Sequence, residues 1–296
     1  MITRLSTSPF LVLVLSIFVG CGPGGDSTGK PTLQNKGSDT MLEVAQAWAE
    51  LYDAASVEVS GGGSGVGISF LIAGKVDVAN CSRAMKPEEI EKMKSQAGTE
   101  PHQIIAGYDA LAIYVHKDNP LEEISMEQLA GLFGDSGNLT KWSQLNITIP
   151  GCGDDTIELA GRQSSSGTYE YFRESVLGKE GKFKLEVNEQ NGSRALVQFV
   201  SSTPCAIGYS GMGYKTDEVK FVKVTKLPGG PGILPSDTTV YDKSYPIARP
   251  LFLYTKGEPT GHVKDYVTWV RTEAGQAVLG QVGYVPLPPD QRLKLD

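Results

Sequence analysis

Residues 161–172 hold the side chains best suited to chemistry: an arginine, three serines, a glycine and a threonine, followed by aromatic residues. Apolar residues recur at i, i+3 and i+7 from Tyr169, which predicts a helix that begins near Ser166 or Gly167. A helix start offers unpaired N–H groups, and Arg162 offers a guanidinium fork that matches two oxygens of a tetrahedral oxyanion. The segment predicts an oxyanion site, with a serine-rich turn that only caps the helix as the open alternative.

Two earlier turns also place small polar residues before predicted helices. Gly37–Thr40 precedes an amphipathic helix. Two interpretations are open: Asp39 or Thr40 only caps this helix, or the N-terminus of the helix faces an anion. Gly61–Gly67 contains five glycines and leads into a predicted helix at Ile68–Ala73. The spacing of its residues is not that of a P-loop. Alone, this loop is weak evidence for an anion site, but as one of three similar turns it is stronger evidence.

A further turn carries a second arginine. A strand predicted at Val76–Ala79 ends in Asn80–Arg83, and ligands bind beyond strand ends in open α/β sheets. From these residues alone the favoured interpretation of Arg83 is a surface arginine that pairs with Glu88 or Glu89.

The elements around these turns alternate between strands and helices, which is typical of an α/β protein. Apolar strands are predicted at Leu111–His116 and Ala248–Thr255, and an amphipathic helix at about Gly261–Gln281. Leu227–Ser236, rich in proline and glycine, is predicted to be a surface loop.

The N-terminus predicts export. Arg4 precedes an apolar run at Phe10–Gly20, which indicates a signal peptide over residues 1–20. The junction before Cys21 resembles a bacterial lipobox, so Cys21 is predicted to be lipidated, with a plain signal peptide and a coincidental cysteine as the alternative. Residues 21–30 are predicted to form a flexible lipidated tether.

Composition limits the possible partners. The chain has 296 residues, 40% hydrophobic and 21% charged, which is typical of a soluble globular protein. Its net charge of −7 and the lack of a Lys/Arg run argue against a nucleic-acid partner, so an anion site must be built locally. Three histidines and no CxxC motif predict no metal site, and no cofactor is indicated.

Three cysteines remain after Cys21. An exported protein can hold a disulfide, and an odd count leaves one thiol over. We expect Cys152 to pair with Cys205 because both fall in what we expect to be one domain, although spacing does not determine the pairing. Cys81 is then the free thiol.

Four motifs, taken together, resemble the periplasmic phosphate-binding protein of the bacterial high-affinity phosphate ABC transporter. They are Gly37–Thr40, Gly63–Gly65, Val76–Arg83 and Gly161–Thr168. The similarity in order and spacing covers nearly the whole mature chain and ends with Ala206–Tyr214 and the closing helix. The last of the four motifs is the most specific.

The resemblance implies a two-domain clamshell of the type II periplasmic-binding-protein class, with mixed sheets flanked by helices. The chain would cross between the domains twice, at the two apolar strands. Domain I would comprise residues 31–108 and 250–296, and domain II residues 109–249.

The resemblance also implies a ligand set for phosphate and one departure from it. In the best-described members an aspartate accepts the proton of the bound phosphate at the position of Arg83. Phosphate carries a proton that sulfate lacks, so a proton acceptor in the site would select phosphate over sulfate. Asp39, Asp109 and Glu170 are the candidates to take over this role from the missing aspartate. The candidate phosphate ligands are Ser38, Thr40, Met41 through its backbone, Ser64, Ser82, Arg83, Arg162, Ser166, Gly167 and Thr168.

The sequence therefore predicts a monomeric binding lipoprotein, held at the membrane by its lipid, that captures inorganic phosphate and delivers it to ABC permease subunits. One alternative keeps the fold and changes the role to binding another tetrahedral oxyanion or sensing phosphate. A secreted phosphatase or serine hydrolase using Ser165 or Ser166 is disfavoured, because His102, His116 and His262 lie in no recognisable motif and Gly-x-Ser-x-Gly is absent.

Overall fold

A strongly curled mixed sheet with flanking helices forms the fold. The structure, a computed structural model, describes residues 29–294. The strands are β1 (Thr32–Gly37), β2 (Ser56–Ser60), β3 (Val78–Cys81), β4 (Pro101–His116), β5 (Glu123–Ser125), β6 (Glu158–Arg162), β7 (Asn188–Gln190), β8 (Ala206–Gly211), β9 (Val219–Thr225) and β10 (Ala248–Lys256). The α-helices are α1 (Leu42–Leu51), α2 (Ser64–Ile72), α3 (Pro87–Lys92), α4 (Met126–Phe133), α5 (Gly167–Phe172), α6 (Ser193–Ser202), α7 (Asp237–Tyr241), α8 (Gly261–Val270) and α9 (Glu273–Gln281).

The sheet has two halves that meet at long strands. The first sheet half consists of β1, β2 and β3, which run parallel, and the second consists of β6, β7 and β8, which also run parallel. Strand β10 pairs antiparallel with both β3 and β4, and β4 continues to pair with β8. Strands β4 and β10 therefore connect the two halves of the sheet.

The apolar core consists of clusters that do not divide along the two halves, since the cluster around α1 also contains Leu196 of α6 and Ala206 of β8. In the first half Trp48 of α1 and Tyr266 of α8 are fully buried in one cluster. In the second half Phe133 of α4, Phe172 of α5 and Tyr209 of β8 pack together, with Phe172 stacked on Tyr209 at a centroid distance of 3.8 Å. Residues Pro31–Asp296 form one compact unit by their contacts. The division of this unit into domains I and II stays a prediction.

Strand β3 lies two residues later than the predicted Val76–Ala79, and three other predicted elements differ more in extent from those observed. Helix α2 begins at Ser64 rather than Ile68, because the glycines at its start let the helix lie against the backbone of β1. Strand β4 begins at Pro101 rather than Leu111, because β10 pairs with it over that whole length. The predicted closing helix is two helices, since the Thr272 side chain caps the start of α9.

The cysteines fall in two environments. Cys152 and Cys205 form a disulfide with an S–S distance of 2.05 Å. Cys81 is a free, buried thiol whose pKa is raised by burial. The predicted signal peptide and Cys21 lie outside the described residues, as does all but the end of the predicted tether. Between residues 29 and 294 no helix is both apolar enough and long enough to span a membrane.

Candidate functional site

Three polar turns meet at one edge of the first sheet half. Because β1, β2 and β3 run parallel, the residues that follow them lie side by side. Ser38 Oγ donates to Ser82 Oγ at 2.9 Å. Ser64 Oγ lies 3.4 Å from Ser82 Oγ and accepts the Ser82 N–H at 3.1 Å. The structure thus brings together three hydroxyls that are separate in the sequence.

The second sheet half brings another hydroxyl to the same place. Thr168, in the first turn of α5, lies with its Oγ1 2.6 Å from Thr40 Oγ1. A Cβ at Gly167 would lie only 2.3 Å from Ser64 Oγ, so only glycine lets the start of α5 approach this closely. We call these side chains, none more than 3% exposed, the hydroxyl cluster: Ser38, Thr40, Ser64, Ser82 and Thr168.

Arg162 lies fully buried at the end of β6. Its Nε donates to Gln163 Oε1 at 3.1 Å, its Nη1 to Ser193 Oγ at 2.8 Å and its Nη2 to Asp39 Oδ2 at 3.2 Å. Burial lowers the pKa of the guanidinium, and the charge of Asp39 acts in the opposite direction. Arginine stays protonated at any ordinary pH, so a fixed positive charge sits in the interior.

Asp39 connects the two halves. It follows β1 in the first half, yet its Oδ2 accepts from Arg162 and from Gln163 Nε2, the latter at 2.8 Å, in the second half. Its Oδ1 accepts the Gly62 N–H at 2.8 Å. Beside it, the Ser165 carbonyl accepts the Gly65 N–H at 3.1 Å. The turns of the two halves are therefore in direct contact and cover the hydroxyl cluster.

Ser166 and Met41 have local roles next to the cluster. Ser166 Oγ accepts the Thr168 N–H at 3.1 Å and caps α5, which begins at Gly167 as predicted. The Met41 N–H donates to the Ser38 carbonyl at 3.1 Å. Ser166 keeps its own hydroxyl hydrogen available for a further acceptor.

Arg83 points to a different partner. Its two Nη atoms each donate to Glu89 at 2.7 Å, and its Nη1 also donates to the Ala84 carbonyl at 2.9 Å. Burial alone would lower the pKa of Arg83, but the hydrogen bonds and charge of Glu89 raise it overall. The structure places Arg83 in an ion pair with Glu89, one of the two partners considered for a surface arginine, and its side chain is about 10% exposed.

The three candidate proton acceptors all have protein donors. Asp109 Oδ2 accepts from Arg249 twice, at 3.0 and 2.8 Å. Glu170 accepts from Lys86 at 3.0 Å and from Arg173 at 3.1 Å. Although burial raises the pKa of Glu170, Lys86 and Arg173 lower it overall. Together with Asp39, these carboxylates serve as partners of cations in the structure.

Several residues around the site were not found from the sequence. Arg249 is the most prominent, and its signal was a lone charge inside an otherwise apolar strand. Ser193 and Gln163 hold Arg162. Gln163 lies inside the Gly161–Thr168 motif without having been assigned a role, and nothing in the local sequence of Ser193 distinguishes it. Tyr214 OH donates to the Asp39 carbonyl at 2.7 Å and Tyr284 OH to the Thr40 carbonyl at 2.5 Å, which fixes the turn after β1.

The site is rich in donors and holds its charges in pairs. Hydroxyl groups from both halves meet here, the Arg249 guanidinium donates to Thr168, and the Arg162 guanidinium donates to Asp39 beside Thr40. Such a set of donors suits a tetrahedral oxyanion. In the described part of the chain, no three His, Cys, Asp or Glu side chains cluster in a way that could hold a metal ion. The hydroxyl cluster is buried where the turns of the two halves touch.

The chain is similar to known proteins along most of its length. Residues 23–273 match a family model described as a PBP superfamily domain. The chain is 35% identical over 273 residues to the phosphate-binding protein PstS of Pseudomonas aeruginosa. This alignment covers 86% of this chain and 83% of the relative. It is 31% identical over 294 residues to PstS of Staphylococcus epidermidis, which covers 94% of this chain and 87% of the relative.

Solved structures show the same architecture. A Clostridium perfringens protein crystallised with bound phosphate, described as a substrate-binding protein of a phosphate ABC transporter, aligns with a TM-score of 0.74 and 26% identity, covering 87% of this chain and all of that one. A phosphate transport receptor from Vibrio cholerae aligns with a TM-score of 0.67 at 24% identity, over 86% of this chain and all of that one, and supports the fold alone.

Proposed function

Because the chain belongs to the family of phosphate-binding proteins within the PBP superfamily, we propose that it binds inorganic phosphate outside the cytoplasmic membrane and delivers it to the permease of an ABC transporter. The names of the relatives describe binding proteins rather than enzymes, and we propose that this chain likewise performs no chemistry on its ligand.

The hydrogen bonds of Arg162 carry this proposal. A guanidinium has five N–H groups, and three of those on Arg162 donate to Gln163, Ser193 and Asp39. Two N–H groups are left, which is the number that a bidentate contact with two phosphate oxygens requires. The protein contacts hold the side chain in one orientation, so little rotamer entropy is lost when the anion binds.

The hydroxyl cluster supplies the other donors in this proposal. Thr40, Ser64 and Thr168 donate hydroxyl hydrogens, and the Gly167 backbone approaches the anion without a side chain in between. Ser38, Ser82, Ser166 and the Met41 backbone complete the ligand set. Arg83, which is paired with Glu89, contributes its charge from the margin of the site rather than a direct contact.

We also propose that residues 31–108 with 250–296 and residues 109–249 move as two lobes. The strands β4 and β10 are the connections about which they would open, as in hinge-type binding proteins. The contacts of Asp39 with Arg162 and Gln163 then exist only in the closed form. Cys21 would carry the lipid that holds the protein at the membrane, and residues 21–30 would be its tether.

Calorimetric titration tests the function directly. The protein, stripped of bound anions, is titrated separately with phosphate, arsenate and sulfate. We expect tight 1:1 binding of phosphate and much weaker binding of sulfate. Preferential binding of sulfate would assign the site to another tetrahedral oxyanion, and no binding of any anion would refute the site itself.

A further inference from the structure

Arg249 and Asp109 form an ion pair that the proposed ligand set does not explain. They are direct partners in the register of the crossing strands β10 and β4. The Arg249 Nε and Nη2 atoms donate to Asp109 Oδ2 at 3.0 and 2.8 Å, and the two side chains are 1% and 0% exposed. Removing two charges from water is costly, so the pair is a poor device for stability alone.

Arg249 also reaches the hydroxyl cluster. Its Nη2 donates to Thr168 Oγ1 at 2.9 Å, and its Nη1 lies 3.5 Å from the Gly167 carbonyl. A guanidinium has no acceptor, so Thr168 Oγ1 must be the acceptor in this contact. The hydrogen of the Thr168 hydroxyl is therefore left free to be donated to Thr40 Oγ1 or to an anion.

Asp109 holds Arg249 in this orientation. Its Oδ2 takes both Arg249 contacts, and its Oδ1 accepts the Met212 N–H at 3.1 Å. Each oxygen of this carboxylate is therefore engaged by the protein. Asp109 is therefore placed to orient Arg249.

We propose that Arg249 is a positioning residue of the phosphate site, which acts through the Thr168 hydroxyl by keeping it a donor towards the anion, and that Asp109 holds Arg249 in place. This inference rests on the proposed function. Because Arg249 and Asp109 lie on the two strands that join the sheet halves, the orientation of the Thr168 hydroxyl depends on the geometry of the crossing.

A double-mutant cycle tests the inference. Phosphate affinity is measured by calorimetry for the unchanged protein, Arg249→Met, Thr168→Val and the double variant. If Arg249 acts through Thr168, each single change weakens binding about tenfold, as expected for one charge-assisted hydrogen bond. The double variant is then no more than about threefold weaker than Thr168→Val alone, because the two changes remove the same interaction.

Arg292→Met is the matched control, because Arg292 makes a two-point ion pair with Glu273 at 2.7 Å near the C-terminus. It should leave phosphate affinity unchanged. Arg249→Met leaves the charge of Asp109 buried without a partner, which can prevent the variant from folding. A second variant therefore combines Arg249→Met with Asp109→Asn, so that no unpaired charge is buried. This neutral pair should fold and show the same affinity loss and the same non-additivity with Thr168→Val.

The outcomes separate this inference from the function on which it rests. Additive losses for Arg249→Met and Thr168→Val would show that Arg249 acts independently of Thr168 and overturn the inference, while phosphate binding by the unchanged protein would preserve the proposed function. Unaltered affinity in the Asp109→Asn, Arg249→Met variant would also overturn it. Failure of the unchanged protein to bind phosphate would remove both.

Discussion

At the scale of single residues, the site depends on side chains that the protein itself holds in place. Arg162 has three protein acceptors, and Asp39 has donors on both of its oxygens. Such contacts fix geometry before the ligand arrives, which lowers the entropic cost of binding. Their removal should therefore affect affinity and binding kinetics more than folding.

Replacement of Arg162 by lysine tests the importance of the guanidinium fork. Lysine keeps the charge but cannot make a bidentate contact and also satisfy the three protein acceptors. We expect Arg162→Lys to weaken phosphate binding by about 3 kcal/mol, roughly hundredfold, in calorimetry. Arg194→Lys, at a side chain that is 82% exposed, is the control and should bind like the unchanged protein. Equal affinities for both variants would contradict the role of the fork.

Asp39→Asn tests the contact between the two halves. Asparagine presents an N–H₂ group where Asp39 now accepts from Arg162 and Gln163, so the closed form should lose stability. We expect the phosphate dissociation rate to rise roughly tenfold while the association rate changes little, as measured by stopped-flow kinetics. Asp118→Asn, at a carboxylate that is 78% exposed, is the control. Tighter binding by Asp39→Asn would mean that Asp39 competes with the anion for Arg162.

At the scale of elements, the polar turns are held where they are by close backbone packing. Helix α2 lies so near β1 that a Cβ at Gly67 would be 2.5 Å from the Lys36 carbonyl and 2.6 Å from Gly37 Cα. Backbone atoms cannot rotate away as a side chain can. The position of Ser64 at the start of α2 therefore depends on glycine at this point.

Gly67→Ala should lower the free energy of unfolding by about 1–3 kcal/mol, because the added methyl group pushes α2 away from β1. The measurement is chemical denaturation monitored by circular dichroism. Gly65→Ala is the matched control in the same helix, since its Cβ would meet the Ser165 carbonyl at 3.5 Å, an ordinary contact. Equal stability of the two variants would show that the helix can move without cost.

The elements also show what sequence reasoning can and cannot reach. The helix start at Gly167 was predictable, because capping depends on residues close together in the chain, whereas the convergence of the polar turns was expected only from the resemblance to a known family. The contact of Arg249 with Thr168 was not predictable, since 81 residues separate them and only the tertiary fold brings β10 next to α5. The role of Asp39 as a partner of Arg162, 123 residues away, was hidden for the same reason.

At the scale of the whole molecule, a ligand enclosed between two halves stabilises all of the structure around it. Asp39, Ser165 and Thr168 make contacts that bridge the halves, and each would be lost on unfolding. A ligand that binds only the native state raises the unfolding free energy by RT ln(1 + [L]/Kd).

Thermal unfolding measures this coupling. Phosphate at about one hundred times its Kd should add about 2.7 kcal/mol and raise the melting temperature by roughly 5 °C relative to the stripped protein. Sulfate at the same concentration and ionic strength should have much less effect. Arg162→Lys serves as the internal control, because its shift at the same phosphate concentration should be small. Identical shifts with phosphate and sulfate would contradict selective binding.

The position of β10 has a consequence for how the polypeptide reaches this structure. This strand is encoded near the C-terminus, yet in the sheet it lies between β3 and β4. During synthesis, which begins at the N-terminus, β3 can pair with β1 on one side but has no partner on its other side until residues 248–256 have been made. A chain cut after residue 247 should accordingly be digested rapidly by a protease that the complete protein resists. The sheet can close only when nearly the whole polypeptide has been released from the ribosome, so most of the chain is synthesised before the fold is complete.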